Sequence, residues 1–411
     1  MTFSWPAPVR ALRHRNFRLY FFGHFISTLG TWVQQVALAW LAYRLTGSAA
    51  VLGITAFVAL VPQLLLSPLV GAWIDRHDKR LLLMGVQSLM GGQALALAVL
   101  AYAEWLDAVS IVAMATLLGI LSAVDTPLRQ SLIGRFVDDP KDLGNALALN
   151  ALLFNSSRFI GPPLAGVLLA VTSEAMCFAL NAVSYLALVV GLWLVKLAPG
   201  ERAKGSFGDV FREGLRYIVN QVPVRRMIVM VLMVNVTASS YAALLPVFAK
   251  DVLEGGAPLL GWLWGAAGAG SFLSAVLLAV QTHDRTLPHW IAGSVFASAL
   301  GLLMFALSDV LWVSMLAMVV LGFSISTCNV GTNILLQGRA PEALRGRVVS
   351  IYSSTRFGFD AVGGLLAGLL ASAIGGPWSL AGLAVVLGTY GLWWWGVSRP
   401  EAGLAHAVNG G

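Results

Sequence analysis

An all-helical integral membrane fold, with twelve transmembrane helices arranged as two parallel six-helix bundles, is predicted by three observations. The 411 residues are 58% hydrophobic and only 11% charged, with a mean hydropathy of +0.80, more apolar surface than a soluble core can hide. Nearly charge-free stretches of about 20 residues, the length needed to cross roughly 30 Å of hydrocarbon, recur along the chain. The second half then repeats features of the first.

The spans read in order. Leu19 to Tyr43, Leu45 to Ile74, Leu81 to Ala103 and Ala108 to Val124 are the first four; Leu143 to Val171, with Arg158 inside it, and Ala175 to Val195 complete six. A polar stretch from Lys196 to Arg226, containing Pro199, Gly200, Gly205 and Gly208, interrupts the pattern. Six more follow: Met227 to Ala249, Gly255 to Gln281, Thr286 to Ser308, Val310 to Gly338, a span near Val348 to Ala373, and Trp378 to Ser398. The division is therefore 1–195 for the first bundle, 196–226 for a connecting linker, 227–398 for the second bundle and 399–411 for a tail. Arg10, Arg13, Arg15 and Arg18 precede the first span, but that run is too long for a signal peptide and no small-residue cleavage site follows it. Cys177 and Cys328 sit in apolar stretches without metal-ligand spacing, so neither a disulfide framework nor a metal site is expected.

Positive charge sets the orientation, because cytoplasmic loops collect Lys and Arg. With the amino terminus inside, the outer loops keep only Arg44 and Lys250, Arg158 and Arg356 lie within spans, and every other Lys and Arg falls on the inner side. Both termini are then cytoplasmic. The net charge of +7 is a topology signal, and no nucleic-acid partner is expected from it.

The halves align by simple offsets. Leu45 to Gly53 (LTGSAAVLG) matches Leu253 to Gly261 (LEGGAPLLG), the Asp75-Arg76 pair recurs as Asp284-Arg285, and Ser157-Arg158-Phe159 recurs as Thr355-Arg356-Phe357. Six spans per half make the copies parallel, related by an axis along the membrane normal, with a substrate path between them.

The loop after the second span reads Gly71-Ala-Trp-Ile-Asp75-Arg76-His-Asp-Lys79-Arg80. It resembles the Gly-x-Leu-Ala-Asp-Arg-x-Gly-Arg-Lys signature of the major facilitator superfamily, with Trp73 in place of Leu and Asp78 in place of Gly. The resemblance covers essentially the whole chain. It implies that Asp75 caps a helix of the other half through the helix dipole, and that Asp125, low on span four, pairs with Arg76 or Arg80 to latch the outward-facing state. The plainer alternative is that Arg76, Lys79 and Arg80 anchor topology. In span five, Gly161-Pro162-Pro163-Leu-Ala165-Gly166 looks like the Gly-Pro-x-x-Gly-Gly motif of exporters in the same superfamily. Glycines there permit close helix approach, and Pro162 removes a backbone donor and bends the helix; an incidental kink is the rival reading.

Charges at depth cost about 3 kcal/mol on insertion scales unless paired or hydrated. Arg356 and Asp360 lie about 12 and 18 Å into span eleven at 1.5 Å per residue, on one helical face at i,i+4 spacing. They are either a satisfied ion pair or a proton site in which Asp360 titrates beside Arg356. Arg158 is the repeat counterpart of Arg356, whereas Asp360 corresponds to Pro162, so the acid belongs to one half alone. Polar residues at helical spacing outline a cavity wall: Ser27, Thr31 and Gln34 on span one, Asn155 on span five, Asn235 and Ser239 on span seven, and Ser326, Asn329, Asn333 and Gln337 on span ten. Hydrogen bonding between helices is the competing role for each.

The segments Leu12 to Tyr20, Gly30 to Trp40, Leu45 to Ser48, Gly144 to Leu147 and Leu344 to Arg347 are similar to the branch containing enterobactin exporters and macrolide efflux pumps. That resemblance implies a bacterial inner-membrane exporter of amphipathic drugs or siderophores, a proton antiporter acting by alternating access. An importer of a sugar or other small metabolite, and a non-transporting receptor or scaffold, are the alternatives. No Gly-x-x-x-x-Gly-Lys-Ser/Thr loop for ATP is present, and no catalytic constellation lies at depth, so an enzyme is not expected. The expected partners are a small-molecule substrate, protons and the lipid bilayer, with no cofactor and no metal, the chain acting as a monomer.

Overall fold

The computed structural model describes residues 7–74, 76–197, 216–280 and 286–408. They form twelve helical spans: α1 (Arg15–Thr46), α2 (Ala49–Ile74), α3 (Lys79–Tyr102), α4 (Ala108–Ile133), α5 (Leu143–Val171), α6 (Glu174–Leu194), α7 (Val222–Val252), α8 (Ala257–Val280), α9 (Leu287–Leu307), α10 (Leu311–Arg339), α11 (Glu342–Ile374) and α12 (Gly376–Val408). Nine of these qualify as membrane spans on length and apolarity alone, among the described residues. α1, α5 and α12 do not; α1 and α5 are long enough but carry buried polar side chains such as Gln34 and Ser157.

Several bounds differ from the sequence expectation. α4 continues past Val124 to Ile133 with Pro127 inside it, because Asp125 and Arg129 neutralise each other one turn apart. α11 starts at Glu342, α7 starts at Val222 within the expected linker, and α12 runs to Val408 through the expected tail. Helix ends follow short polar signals. Gly47 takes the left-handed conformation (φ 58°) that closes α1, Asp107 and Ser110 form a capping box on α4, and Ser173 caps α6.

Packing repeats between the halves. In the first, α1 packs on α5 and α6, α3 on α4 and α6, and α2 on α4; in the second, the counterparts α7 on α11 and α12, α9 on α10 and α12, and α8 on α10 recur. Two seams then join the halves, α2 with α11 and α5 with α8, and these are the same pairing seen from either repeat. Glycines line both. A Cβ on Gly53 would lie 2.8 Å from Gly364 O, and one on Gly261 would lie 2.5 Å from Pro162 O and 2.8 Å from Gly166 Cα. Gly53 and Gly261 are repeat counterparts, as are Gly166 and Gly364, so the duplicated sequence builds the interface twice.

The halves meet unevenly along their length. We call the end carrying the start of α1 and the α6–α7 connection the terminal face, and the opposite end the far face. At the far face, the Tyr43 hydroxyl donates to the Asp251 carboxylate, and Lys250 Nζ lies 5.4 Å from the Tyr43 ring centre. Here one apolar core runs through both halves, including Leu41, Leu52 and Phe178 of the first and Leu245, Phe248 and Leu260 of the second. Toward the terminal face, the first bundle has a separate core of Phe17, Tyr20, Leu83, Leu128 and Phe136 that contains no residue of the second half. The bundles share a core at the far face, and the first bundle has a core of its own toward the terminal one.

A short 3-10 segment, Ala7–Arg13, straps this terminal core. Asn145 accepts from Ala11 N at 2.8 Å and donates to Pro8 O at 2.9 Å. Asp142, buried at the start of α5, accepts from Arg10, from Arg13 Nε at 2.9 Å and from His14 Nε2 at 2.9 Å. These partners, His14 first, hold the Asp142 carboxyl below its ordinary value against the opposing effect of desolvation.

A depressed folded value means that the strap's carboxylate contributes full stability above the unfolded carboxylate pKa, about 3.9, and loses it only as pH falls through the lower folded value. We therefore expect the strap to stay docked down to mildly acid pH, and Asp142→Asn to raise amide hydrogen exchange over residues 7–13 at neutral pH; unchanged exchange contradicts this. At the seam, Gly261→Val forces overpacking of about 1–3 kcal/mol. It should lower the melting temperature and slow oxidative cross-linking between Tyr43→Cys and Asp251→Cys, whereas an unaltered rate would show that the seam does not hold the far face shut.

Candidate functional site

Near mid-depth, three helices from both halves bring ionisable groups together. α5 supplies Arg158, α7 supplies Ser239 and Tyr241, and α11 supplies Arg356 and Asp360. The geometry begins with a break in α7. Regular turns stop at Thr237, Ser239 N bonds to Val234 O at 3.2 Å in a wider turn, and helix resumes at Tyr241 before ending in a π turn over Phe248–Val252. Ser239 and Ser240 favour such a break because their hydroxyls compete for backbone groups: Ser240 Oγ bonds Thr237 O at 2.5 Å. Gly363 lets α11 approach this point, since a Cβ there would lie 2.8 Å from Asn235 O.

Across the break, Ser239 is in hydrogen-bonding contact with the Asp360 carboxylate, and Arg356 and Arg158 are its charged neighbours. The buried Tyr241 hydroxyl contacts Arg158 of the other half. The i,i+4 ion pair offered by the sequence is not made. Arg356 Nε and Asp360 Oδ1 are both sealed from solvent without a hydrogen-bond partner, and the Arg356 guanidinium lies 5.0 Å from the Phe357 ring centre. The cluster leaves an acid with an unsatisfied oxygen bracketed by cations from two bodies.

The expected cavity wall divides on inspection. Gln34, Asn235 and Asn329 do not face an open path. Gln34 is completely buried, donates to Gln93 at 3.1 Å and accepts from Asn181 at 2.7 Å; Asn235 donates to Asn329 at 3.0 Å, whose backbone O accepts from Tyr352 at 2.6 Å. Buried amides must be paired, and these hold helices together within each half. Thr31 also turns inward, donating to Ser27 O at 2.8 Å and lying 3.2 Å from the Tyr185 hydroxyl. Asn155, Ser239 and Asn333 are half-buried; Asn155 bonds its own helix at Ala151 O and Asn333 accepts from Gln337 at 3.1 Å.

The loop residues behave differently from the expected latch. Asp75 lies outside the described residues, as does any side-chain environment of Gly71. Asp125 is not paired with Arg76 or Arg80: it is buried with Arg129 and accepts from Gln87 Nε2 at 2.5 Å. Arg80 instead donates to Leu192 O at 2.7 Å and Trp193 O at 2.8 Å, satisfying carbonyls at the end of α6. Arg76 is exposed, Lys79 begins α3, and Asp78, the departure from the signature, caps that helix by accepting from Arg80 N and Leu81 N. In α5, Gly161 sits under Trp32, Pro162 and Gly166 face Gly261, and Pro163 faces Gly265, all within an unbroken helix. The exporter-like motif therefore forms the α5–α8 seam.

Sequence reasoning missed Tyr241 as a polar partner of Arg158, and it missed His24, whose ring lies tilted 5.2 Å from that of Tyr20 and approaches Arg129 to 2.6 Å. A histidine, an arginine and an aspartate within apolar windows were the available signal.

The sequence profile described as transmembrane secretion effector matches residues 6–403. The chain is 29% identical to the staphyloferrin A transporter of Staphylococcus aureus over 87% of its length and 90% of that protein. It is 26% identical to the multidrug efflux pump Tap of Mycolicibacterium fortuitum, over 84% of the chain and 87% of the pump, and 19% identical to macrolide efflux protein A of Streptococcus pyogenes, over 88% and 92%. Among solved structures, an inward-facing, occupied bacterial homolog of the human lysosomal transporter Spinster superposes with a TM-score of 0.73, 13% identity, and coverage of 96% of this chain and 98% of that one. The nucleoside transporter NupG superposes at 0.66 with 14% identity, covering 93% and 96%.

Proposed function

Because the chain belongs to the transmembrane secretion effector family of the major facilitator superfamily, and so is a multi-pass membrane transporter and not an enzyme, we propose that it exports amphipathic small molecules across a bacterial inner membrane in exchange for protons. The observation that carries this reading is the mid-depth cluster joining Asp360 and Arg356 of one bundle to Arg158 of the other.

The terminal face is cytoplasmic in this proposal, as the distribution of Lys and Arg requires. The far-face closure at Tyr43 and Asp251 then describes the state open to the cytoplasm, where a substrate enters between two bundles with separate cores. Rocking about the glycine seams closes the terminal face and opens the far one. In the outward-open state Asp125 exchanges Arg129 for a loop arginine, Arg76 or Arg80. Because Arg158 and Asp360 sit on different bodies, rocking changes their separation, and withdrawal of Arg158 removes a cation that favours the carboxylate anion. Protonation of Asp360 thereby follows the conformational cycle. Relatives named for staphyloferrin A, multidrug and macrolide transport support an amphipathic cargo, and in this proposal a single chain acts as a monomer.

In proteoliposomes with an imposed pH gradient, Asp360→Asn should reduce gradient-driven ethidium or erythromycin efflux at least about tenfold, equivalent to about 1.4 kcal/mol, while retaining energy-independent exchange. Tyr241→Phe, which removes only the contact with Arg158, should give a smaller loss. Undiminished proton-driven efflux by Asp360→Asn contradicts the assignment.

A further inference from the structure

A second group of buried ionisable side chains lies wholly within the first bundle and takes no part in the cluster above. Asp125 of α4 is inaccessible to solvent and is ion-paired with Arg129 one turn later. Gln87 of α3 holds the same carboxylate at 2.5 Å and itself accepts from Ser27 of α1 at 3.3 Å. Arg129 has a second partner, His24 of α1, whose Nε2 is 2.6 Å from Nη1. A guanidinium has donors only. Nε2 must therefore accept, which fixes His24 as the neutral tautomer with its proton on Nδ1. That Nδ1 is sealed from solvent and has no hydrogen-bond partner.

Fixed donors and acceptors make the arrangement conditional on the charge of the imidazole. A proton arriving at Nε2 turns an acceptor into a donor facing a guanidinium, so the 2.6 Å contact cannot survive it. The trio of Asp125, Arg129 and His24 passes from neutral to a net charge of +1. Of its two cations, Arg129 has access to water, with 23% of its side chain exposed, whereas His24 is 5% exposed. Arg129 is then the group that moves, toward the terminal face, and Asp125 is left with the new imidazolium. Facing His24, among the described residues, are Tyr20 on α1, Arg129 on α4 and the neutral Asn150 on α5; Asp125 of α4 and Gln87 of α3 are reached through Arg129, with Tyr185 of α6 beyond them. No second carboxylate in that set stands ready to take Arg129.

We propose that His24 is a second proton-binding residue, acting in the first bundle by evicting Arg129, so that proton occupancy on the cytoplasmic side is read by α4 at the terminal face. The inference rests on the proton-coupled transport reading but uses none of the residues of the Asp360 cluster. The proton comes from cytoplasmic water along the exposed edge of Arg129, and the bond broken is the Arg129–His24 hydrogen bond.

The test compares wild type with His24→Gln, whose side-chain carbonyl still accepts from Arg129 but does not titrate. Ethidium efflux from proteoliposomes at fixed membrane potential should vary about fivefold between pH 4.5 and 7, on the acid side of an ordinary histidine, in the wild type and lose this limb in the variant. Superimposable pH profiles overturn the proposal. Should the variant fold poorly, ring-labelled histidine NMR of the wild-type protein in nanodiscs decides: the His24 resonance, assigned through its absence from any folded fraction of the variant, starts as the Nδ1–H tautomer and moves to imidazolium across this range. A resonance that stays neutral throughout overturns it equally. Efflux that depends on Asp360 but shows the same pH profile with and without His24 defeats this inference alone; efflux indifferent to Asp360 defeats the broader reading instead.

Discussion

The close backbone approach of repeat-related helices, α2 against α11 and α5 against α8, is the contact on which the rest of the structure depends. In lipid there is no hydrophobic drive between helices, so association relies on packing and on small residues that let backbones touch. Gly53, Gly166, Gly261 and Gly364 provide this at symmetry-equivalent places. Because these seams belong to the far half of the molecule, the bundles can share one core there while keeping separate cores toward the terminal face. The same contact thus holds the two bundles together where they share a core.

Electrostatics follows from where the seams leave off. Arg158 stands beside the α5–α8 seam, since a Cβ on Gly268 of α8 would meet the backbone of Phe159, 2.8 Å from its Cα. Close packing at that level lets Arg158 reach Tyr241 and the neighbourhood of Asp360 across the divide. Farther toward the terminal face, where the first bundle has a core of its own, it satisfies its buried charges through Asp125, Arg129 and Gln87. The Asp360 cluster draws its charges from both bodies, whereas the Asp125 group draws them from one. The two buried acids are therefore held in different ways, one across the divide and one within a single bundle.

Much of the architecture was legible in the sequence, because span length and repeat offsets are dictated by bilayer thickness and by duplication. The alignments of Leu45 with Leu253 and of Arg158 with Arg356 pointed to helices that prove to be packing counterparts. Burial was harder to read. Gln34 and Asn235 recur at helical spacing and look like a wetted stripe, yet their partners Gln93, Asn181 and Asn329 lie on helices distant in sequence, so periodicity carries no trace of the pairing. Asp125 looked like the end of a span because a charge normally stops one; its neutralisation by Arg129 and Gln87 becomes visible only when α3 and α4 are packed. The break at Ser239 was hidden for a related reason, since Thr237-Ala-Ser-Ser240 is apolar enough to pass as continuous helix.

The central claim is that the far and terminal faces open in alternation about fixed seams. Electron–electron distance measurements in nanodiscs test it most directly, with one pair of spin labels on the α1–α2 and α7–α8 turns and another on the terminal ends of α4 and α10. Across a pH titration the account predicts two populations in which a short far-face distance always accompanies a long terminal-face distance, and the reverse. Distances that lengthen together, or a far-face pair that never separates while efflux proceeds, would contradict it.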